Sequence, residues 1–157
     1  MADARQLKQA RTVYDTLRDA LNAREWHYEE EAEKLTIRLN VTGDDIAMRL
    51  IFIVDAERQL LRLLSFLPFK VKEDKRTELA VAICETNYAM ADGGFDMDLS
   101  DGSILFRLNA SYRDSIIGEE LVQYVISCAC HTIDKYNDLY LMLSKGLMDL
   151  STFVEKI

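Results

Sequence analysis

Two stretches of the chain alternate apolar and polar residues with a period of two and then double back, which restricts the fold to one built around an antiparallel sheet. In the first, Leu35, Ile37, Leu39 and Val41 alternate with Thr36, Arg38, Asn40 and Thr42. Beyond Gly43-Asp44 the apolar set resumes at Ile46, Met48, Leu50, Phe52 and Val54. Period two puts each set on one face of a strand. A two-residue turn at Gly43-Asp44 predicts the pairs Val41–Ile46, Leu39–Met48, Ile37–Leu50 and Leu35–Phe52, all apolar. It also sets Arg38 against Arg49 on the other face, a repulsion that a longer turn would relieve. In the second stretch Phe95, Met97 and Leu99 alternate with Asp96, Asp98 and Ser100. Asp101-Gly102 is a strong turn signal, and Ile104, Phe106 and Leu108 return. This register pairs Leu99 with Ile104, Met97 with Phe106 and Phe95 with Leu108, with Asp96 facing Arg107 outside.

Between the hairpins a third strand is predicted from about Gln59 to Val71. It is apolar on both faces: Leu60, Leu64 and Phe66 on one, Leu61, Leu63 and Leu67 on the other. Pro68, lacking an N–H, suits its end or a sheet edge. The rest of the pattern has helical spacing. Leu7, Ala10, Tyr14, Leu17 and Leu21 step by threes and fours, with Asp3 and Gln6 placed as a capping box. A second helix is predicted over Glu73 to Met90, with Leu79, Ala82, Ile83 and Met90 inward and Asp92-Gly93-Gly94 as its stop. A long third helix carries Ile117, Leu121, Val125, Cys128, Thr132, Tyr136, Tyr140 and Leu143, a span of roughly 35–40 Å. Gly146 ends or bends it, and a short helix with Leu147, Leu150, Phe153, Val154 and Ile157 follows, started by Ser151-Thr152 and Glu155. The expected architecture is α+β: an antiparallel sheet of about five strands with helices on one face, in the order α-βββ-α-ββ-α-α. No linker, repeat or low-complexity segment divides the chain, so a single domain over residues 1–157 is expected.

Composition narrows the function classes. The 19 basic and 27 acidic residues give a net charge of −8, which disfavours general nucleic-acid binding and attachment to anionic lipid. The N-terminus turns polar at once, without a signal-peptide run, and no apolar stretch is long enough to span a membrane. Three scattered cysteines argue against a disulfide framework and point to a reducing, cytoplasmic compartment.

No motif names a reaction. The acidic run from Asp92 to Asp101 invites a calcium-loop reading, but the twelfth position counted from Asp96 is Arg107, where a bidentate Glu is required. Cys128-Ala129-Cys130-His131 suggests a metal cluster, yet residues two apart on a helix point in nearly opposite directions. Cys128 and His131 share a face but lack a second ligand pair; Cys84 and His27 are the remaining soft donors. There is no nucleophile elbow, no P-loop and no Gly-x-Gly-x-x-Gly. The residues therefore predict no enzyme, no cofactor and no metal site. A small-molecule or metal-responsive regulator with a pocket between helices and sheet is the alternative reading, motivated by Cys128, His131 and His27.

The surface says more. A sheet covered on one face should be polar on the other, yet its outward positions include Ile51, Ile53 and Leu105, plus one of the two leucine sets of the third strand. Large exposed apolar patches are rare on monomers, so these residues are candidates for a dimer contact or a protein-partner surface.

The stretch from Glu78 to Arg107 resembles the YbjN-like family, also called bacterial sensory transduction regulators. Its carriers are Asn87-Tyr88 at a helix end, then Gly94-Phe95-Asp96-Met97 and Asp101-Gly102-Ser103-Ile104-Leu105-Phe106-Arg107. The long helix with Asp134 and Tyr136 before Gly146, and the short helix after it, are also similar; Lys135-Tyr136-Asn137 departs from relatives that carry a Pro nearby. The resemblance implies a fold like that of the class I type III secretion chaperones, small acidic homodimers that wrap extended partner segments. It implies no catalytic or metal residues.

Overall fold

A computed structural model describes all 157 residues. The chain opens with helix α1 (Ala4–Ala23), whose first turn is closed by the expected capping box: Gln6 N donates to the Asp3 side chain and Asp3 N donates to Gln6 Oε1, both at 2.8 Å. Ala10, Tyr14, Leu17 and Leu21 are buried as the spacing predicts, with Val13 and Ala20 beside them; Leu7, one turn nearer the end, is exposed instead. Strands β1 (Tyr28–Glu31), β2 (Thr36–Thr42), β3 (Ala47–Asp55) and β4 (Leu60–Lys70) follow as an antiparallel meander. A single 3₁₀ turn (Glu73–Lys75) leads into α2 (Arg76–Ala89), so the second helix starts later than the pattern implied. Strands β5 (Gly94–Met97) and β6 (Ser103–Ser111) form the second hairpin; α3 (Glu119–Ser144) and α4 (Leu150–Lys156) complete the chain.

The sheet has six strands in the order β1-β2-β3-β4-β6-β5, one more than expected. The additional strand is β1, whose sequence Tyr28-Glu29-Glu30-Glu31 carries three residues of low strand propensity. Tertiary contacts hold it there. Tyr14 Oη donates to Glu30 Oε2 at 2.8 Å, and Arg18 Nε lies 3.3 Å from the same oxygen, fastening the strand to α1.

Both hairpins keep the predicted faces but not the predicted register. Val41 pairs with Met48, Leu39 with Leu50 and Ile37 with Phe52, a slip of two residues produced by a four-residue connection, residues 43–46. The slip moves Arg38 away from Arg49 and opposite Ile51, which removes the repulsion. In the second hairpin Phe95 pairs with Phe106 and Met97 with Ile104, again a two-residue shift. Residues 98–102 form the connection, and Leu99, expected inside, is 61% exposed. A slip of two leaves every side chain on its own face, so the alternation alone could not distinguish the registers.

The inward face of the sheet presents Ile37, Leu39, Leu50, Phe52, Leu61, Leu63, Phe95 and Phe106, all buried, to the helices. This settles the third strand: Leu61, Leu63 and Leu67 are core, whereas Leu60, Leu64 and Phe66 point away. In α3 the buried set is Val122, Val125, Ile126, Ala129, Ile133, Tyr136, Asn137, Tyr140 and Leu143. Leu121, Cys128 and Thr132, predicted inward, are only half-buried, because the first half of the helix is rotated by about one position from the expected stripe. Asp149, not Ser151, caps α4, its side chain accepting from Thr152 N at 2.8 Å. No helix is long and apolar enough to cross a membrane.

Candidate functional site

The helices all pack on one face of the sheet, and none of Ile51, Ile53, Leu64, Phe66 and Leu105 belongs to the buried core or packs against it. These five residues come from three neighbouring strands. Ile51 on β3 lies opposite Leu64 on β4, and Phe66 lies opposite Leu105 on β6. Ile53, the remaining sequence candidate, sits one pleat along and faces Arg62. All are half-buried except Phe66, which is 53% exposed. Strand spacing of ~4.8 Å makes the patch about 10 Å across. The structure thus brings Ile51, Ile53 and Leu105 onto one surface and adds Leu64 and Phe66, which the sequence offered only as one of two possible sets.

Ion pairs surround the patch. Glu29 meets Arg49 at 3.2 Å, Asp96 meets Arg107 at 2.8 Å and Asp55 meets Arg58 at 3.1 Å; Glu31 pairs with Arg38, and Lys70 with Asp101. Burial alone would raise the Asp55 carboxyl, but hydrogen bonds from the Arg58 N–H and guanidinium outweigh it and hold the group below the usual carboxylate range.

A second apolar surface escaped the sequence reading. The run Leu79-Ala80-Val81-Ala82-Ile83-Cys84 makes the middle of α2 apolar all round, a pattern usual for a helix buried on every side. Leu79, Ala82 and Ile83 are buried, but Val81 is 44% and Tyr88 91% exposed. Six consecutive apolar residues within a helical segment were the signal that could have exposed it. Beside it, an open groove of about 400 Å³ runs between α2 and β5, lined by Ile83, Cys84, Phe95, Met97 and Leu99. Asn87 also lines it. Its Nδ2 donates to Phe95 O at 2.9 Å, and Phe95 N donates to its Oδ1 at 2.8 Å.

The sulfur and imidazole groups are not assembled. No three His, Cys, Asp or Glu residues lie together as a metal site, and His27 and His131 are both exposed, in front of β1 and on α3. Burial, aided by the nearby Asp134 charge, pushes the Cys130 thiol up to about 11, so it is protonated at neutral pH and a poor nucleophile.

Comparison with known proteins agrees with this fold. The YbjN family model, described as "Putative bacterial sensory transduction regulator", matches residues 14–140. The crystal structure of YbjN from E. coli is similar with a TM-score of 0.55 at 12% identity, covering 84% of this chain and 89% of that one. A chain of the HopA1-SchA chaperone-effector complex is similar with a TM-score of 0.55 at 16% identity, covering 88% of this chain and 94% of that one. At such identities the likeness is one of fold. No curated protein matches the chain in sequence.

Proposed function

The chain belongs to the YbjN family, and from that premise we propose that it is a non-enzymatic, cytoplasmic protein-binding module, a homodimer that holds a protein segment on the outer face of its sheet. The observation that carries this reading is the uncovered patch of Ile51, Leu64, Phe66 and Leu105, drawn from three strands and bordered by ion pairs. Apolar centres within polar rims are the anatomy of protein–protein contacts. The fold shared with a chain of a chaperone-effector complex supports the same class of function. The dimer contact is assigned to the outward side of α2, where Val81 and Tyr88 are exposed; one surface then serves the second copy and the other the partner.

Two measurements test the proposal. Sedimentation of the wild type and of Tyr88→Asp reads the dimer: a wild-type dimer that the variant dissociates is expected, and a wild-type monomer at micromolar concentration rejects the homodimer. Affinity capture from native lysate, comparing wild type with Ile51→Asp, reads the segment-binding face. One abundant protein recovered by the wild type and lost with the variant is expected; identical recoveries reject the sheet face.

The groove between α2 and β5 favours a second reading, a small apolar ligand seated against Ile83, Phe95 and Met97. A ligand specific to the native state must raise the thermal midpoint. A rise in the wild type that Ile83→Trp abolishes would move the function to this groove.

A further inference from the structure

Arg62 has no direct partner on the outer face, although its charge reaches Asp55 and helps to hold that carboxyl low. It sits on β4 between Ile53 of β3 and Asn109 of β6, half-buried, and it makes neither a hydrogen bond nor an ion pair. The carboxylates around it are committed elsewhere: Asp55 to Arg58, Asp96 to Arg107, Glu31 to Arg38 and Glu29 to Arg49. A guanidinium offers five donors in a planar fork that matches a carboxylate, and it cannot lose its charge near neutral pH. Partial removal from water makes an unused fork costly, and an incoming anion would satisfy it.

Resting on the reading of the sheet face as the binding surface, we infer that the bound segment carries one carboxylate among its apolar contact residues, received by Arg62. Ile51, Leu64, Phe66 and Leu105 supply the apolar contact; Arg62, beside Ile53, fixes where along the sheet the segment's Asp or Glu must lie. A second copy does not fit this face. Two-fold packing through the patch would bring two Arg62 groups into one interface with no free carboxylate for either. The net charge of −8 repels acidic chains at long range, so the partner is a segment with a single placed acid, not a polyanion.

The test uses three extended peptides of alternating Leu and Thr that differ at one central residue: Asp, Asn or Lys. Binding to the full chain is read by chemical-shift titration of the Ile and Leu methyl groups up to millimolar peptide. The Asp peptide is expected to bind at least ~10-fold tighter than the Lys peptide. Arg62→Glu should reverse that order and Arg62→Met should level it, with urea midpoints confirming that both variants remain folded. Equal affinities for the three peptides, with binding still lost in Ile51→Asp, would overturn the role of Arg62 and leave the sheet face standing. Absence of shifts at Ile51 and Leu105 with every peptide would overturn both.

Discussion

The side-chain amide of Asn87 makes both backbone hydrogen bonds that Phe95 would otherwise offer to a neighbouring strand. Nδ2 donates to Phe95 O at 2.9 Å, and Phe95 N donates to Oδ1 at 2.8 Å. Strand β5 is the edge of the sheet, so α2 occupies through one side chain the place of a seventh strand. Edges left open recruit other chains, and a side chain that takes both groups of an edge residue blunts that tendency.

Asn87→Leu keeps the volume and removes both bonds, leaving a part-buried donor and acceptor unpaired at about 1–3 kcal/mol each. Urea denaturation should show that loss, and the Phe95 amide should exchange with solvent faster than those of β3. Asn87→Asp keeps the acceptor for Phe95 N but sets a carboxylate against Phe95 O, so it should not restore stability. Self-association that grows with concentration in Asn87→Leu, and is absent from the wild type under the same conditions, would mark the freed edge.

Neighbouring positions on β3 should respond in opposite ways to mutation. Phe52 is fully buried against the helices, whereas Ile51, the next residue, faces away from them. Phe52→Ala is expected to cost about 3–5 kcal/mol through lost transfer energy and a cavity. Ile51→Asp should cost about 1 kcal/mol, chiefly from strand propensity, while weakening protein capture. A cost for Ile51→Asp equal to that of Phe52→Ala would place Ile51 in the core.

The alternation of Leu35 to Val54 made the two faces of β2 and β3 legible, because one face is buried and a period of two is unambiguous about sides. It could not separate registers differing by two residues, since Leu39 is opposite an inward residue whether its partner is Met48 or Leu50. β1 was hidden for another reason: Glu30 is held by Tyr14 and Arg18 of α1, Glu29 by Arg49 of β3 and Glu31 by Arg38 of β2, partners that no local pattern encodes. Ile51, Ile53 and Leu105 could be picked out as apolar residues at polar positions. Arg62 could not, because its distinction is the absence of a partner, which depends on where Asp55, Arg58 and Asn109 fold. In β4 both faces are apolar for different reasons, one for the core and one for the open patch, so periodicity left the strand's phase undecided.

Stability should decline on the alkaline side. Tyr14 and Tyr112 are buried, and their hydroxyls donate at 2.8 Å to Glu30 Oε2 and to Asp55 O. Burial first, then the Glu30 bond for Tyr14 and the Asp55 charge for Tyr112, pushes each phenol from 10 up to about 12. The folded state favours the neutral phenol, so this stabilisation is complete below pH ~10 and is lost as pH rises through about 12. Urea midpoints should be level near pH 8–9 and fall steeply beyond pH ~10. Tyr112→Phe should lower the plateau by about 1 kcal/mol and make the alkaline fall shallower. An unchanged slope would show that Tyr112 does not contribute to it.

The Asp101-Gly102 pattern predicts Gly102 as the second residue of a two-residue turn, and the structure gives it a different duty. It ends a five-residue connection at φ +78°, and a Cβ there would lie 2.0 Å from Val71 O. Its own groups are both used: Gly102 N donates to Asp98 O at 2.7 Å, and Val71 N donates to Gly102 O at 2.8 Å. The close approach ties the end of β4 to the β5–β6 connection. Gly102→Ala meets backbone, not a movable side chain, so left-handed strain of about 1 kcal/mol is compounded by displacement of the Val71 peptide. The expected total is about 3 kcal/mol or more. Gly118→Ala is the comparison, since a Cβ there meets nothing within 4 Å; as Gly118 is the N-cap of α3, its change should be about 0.5–1 kcal/mol, well short of that for Gly102→Ala. Equal midpoints for the two variants would mean that the Val71–Gly102 contact gives way without loss.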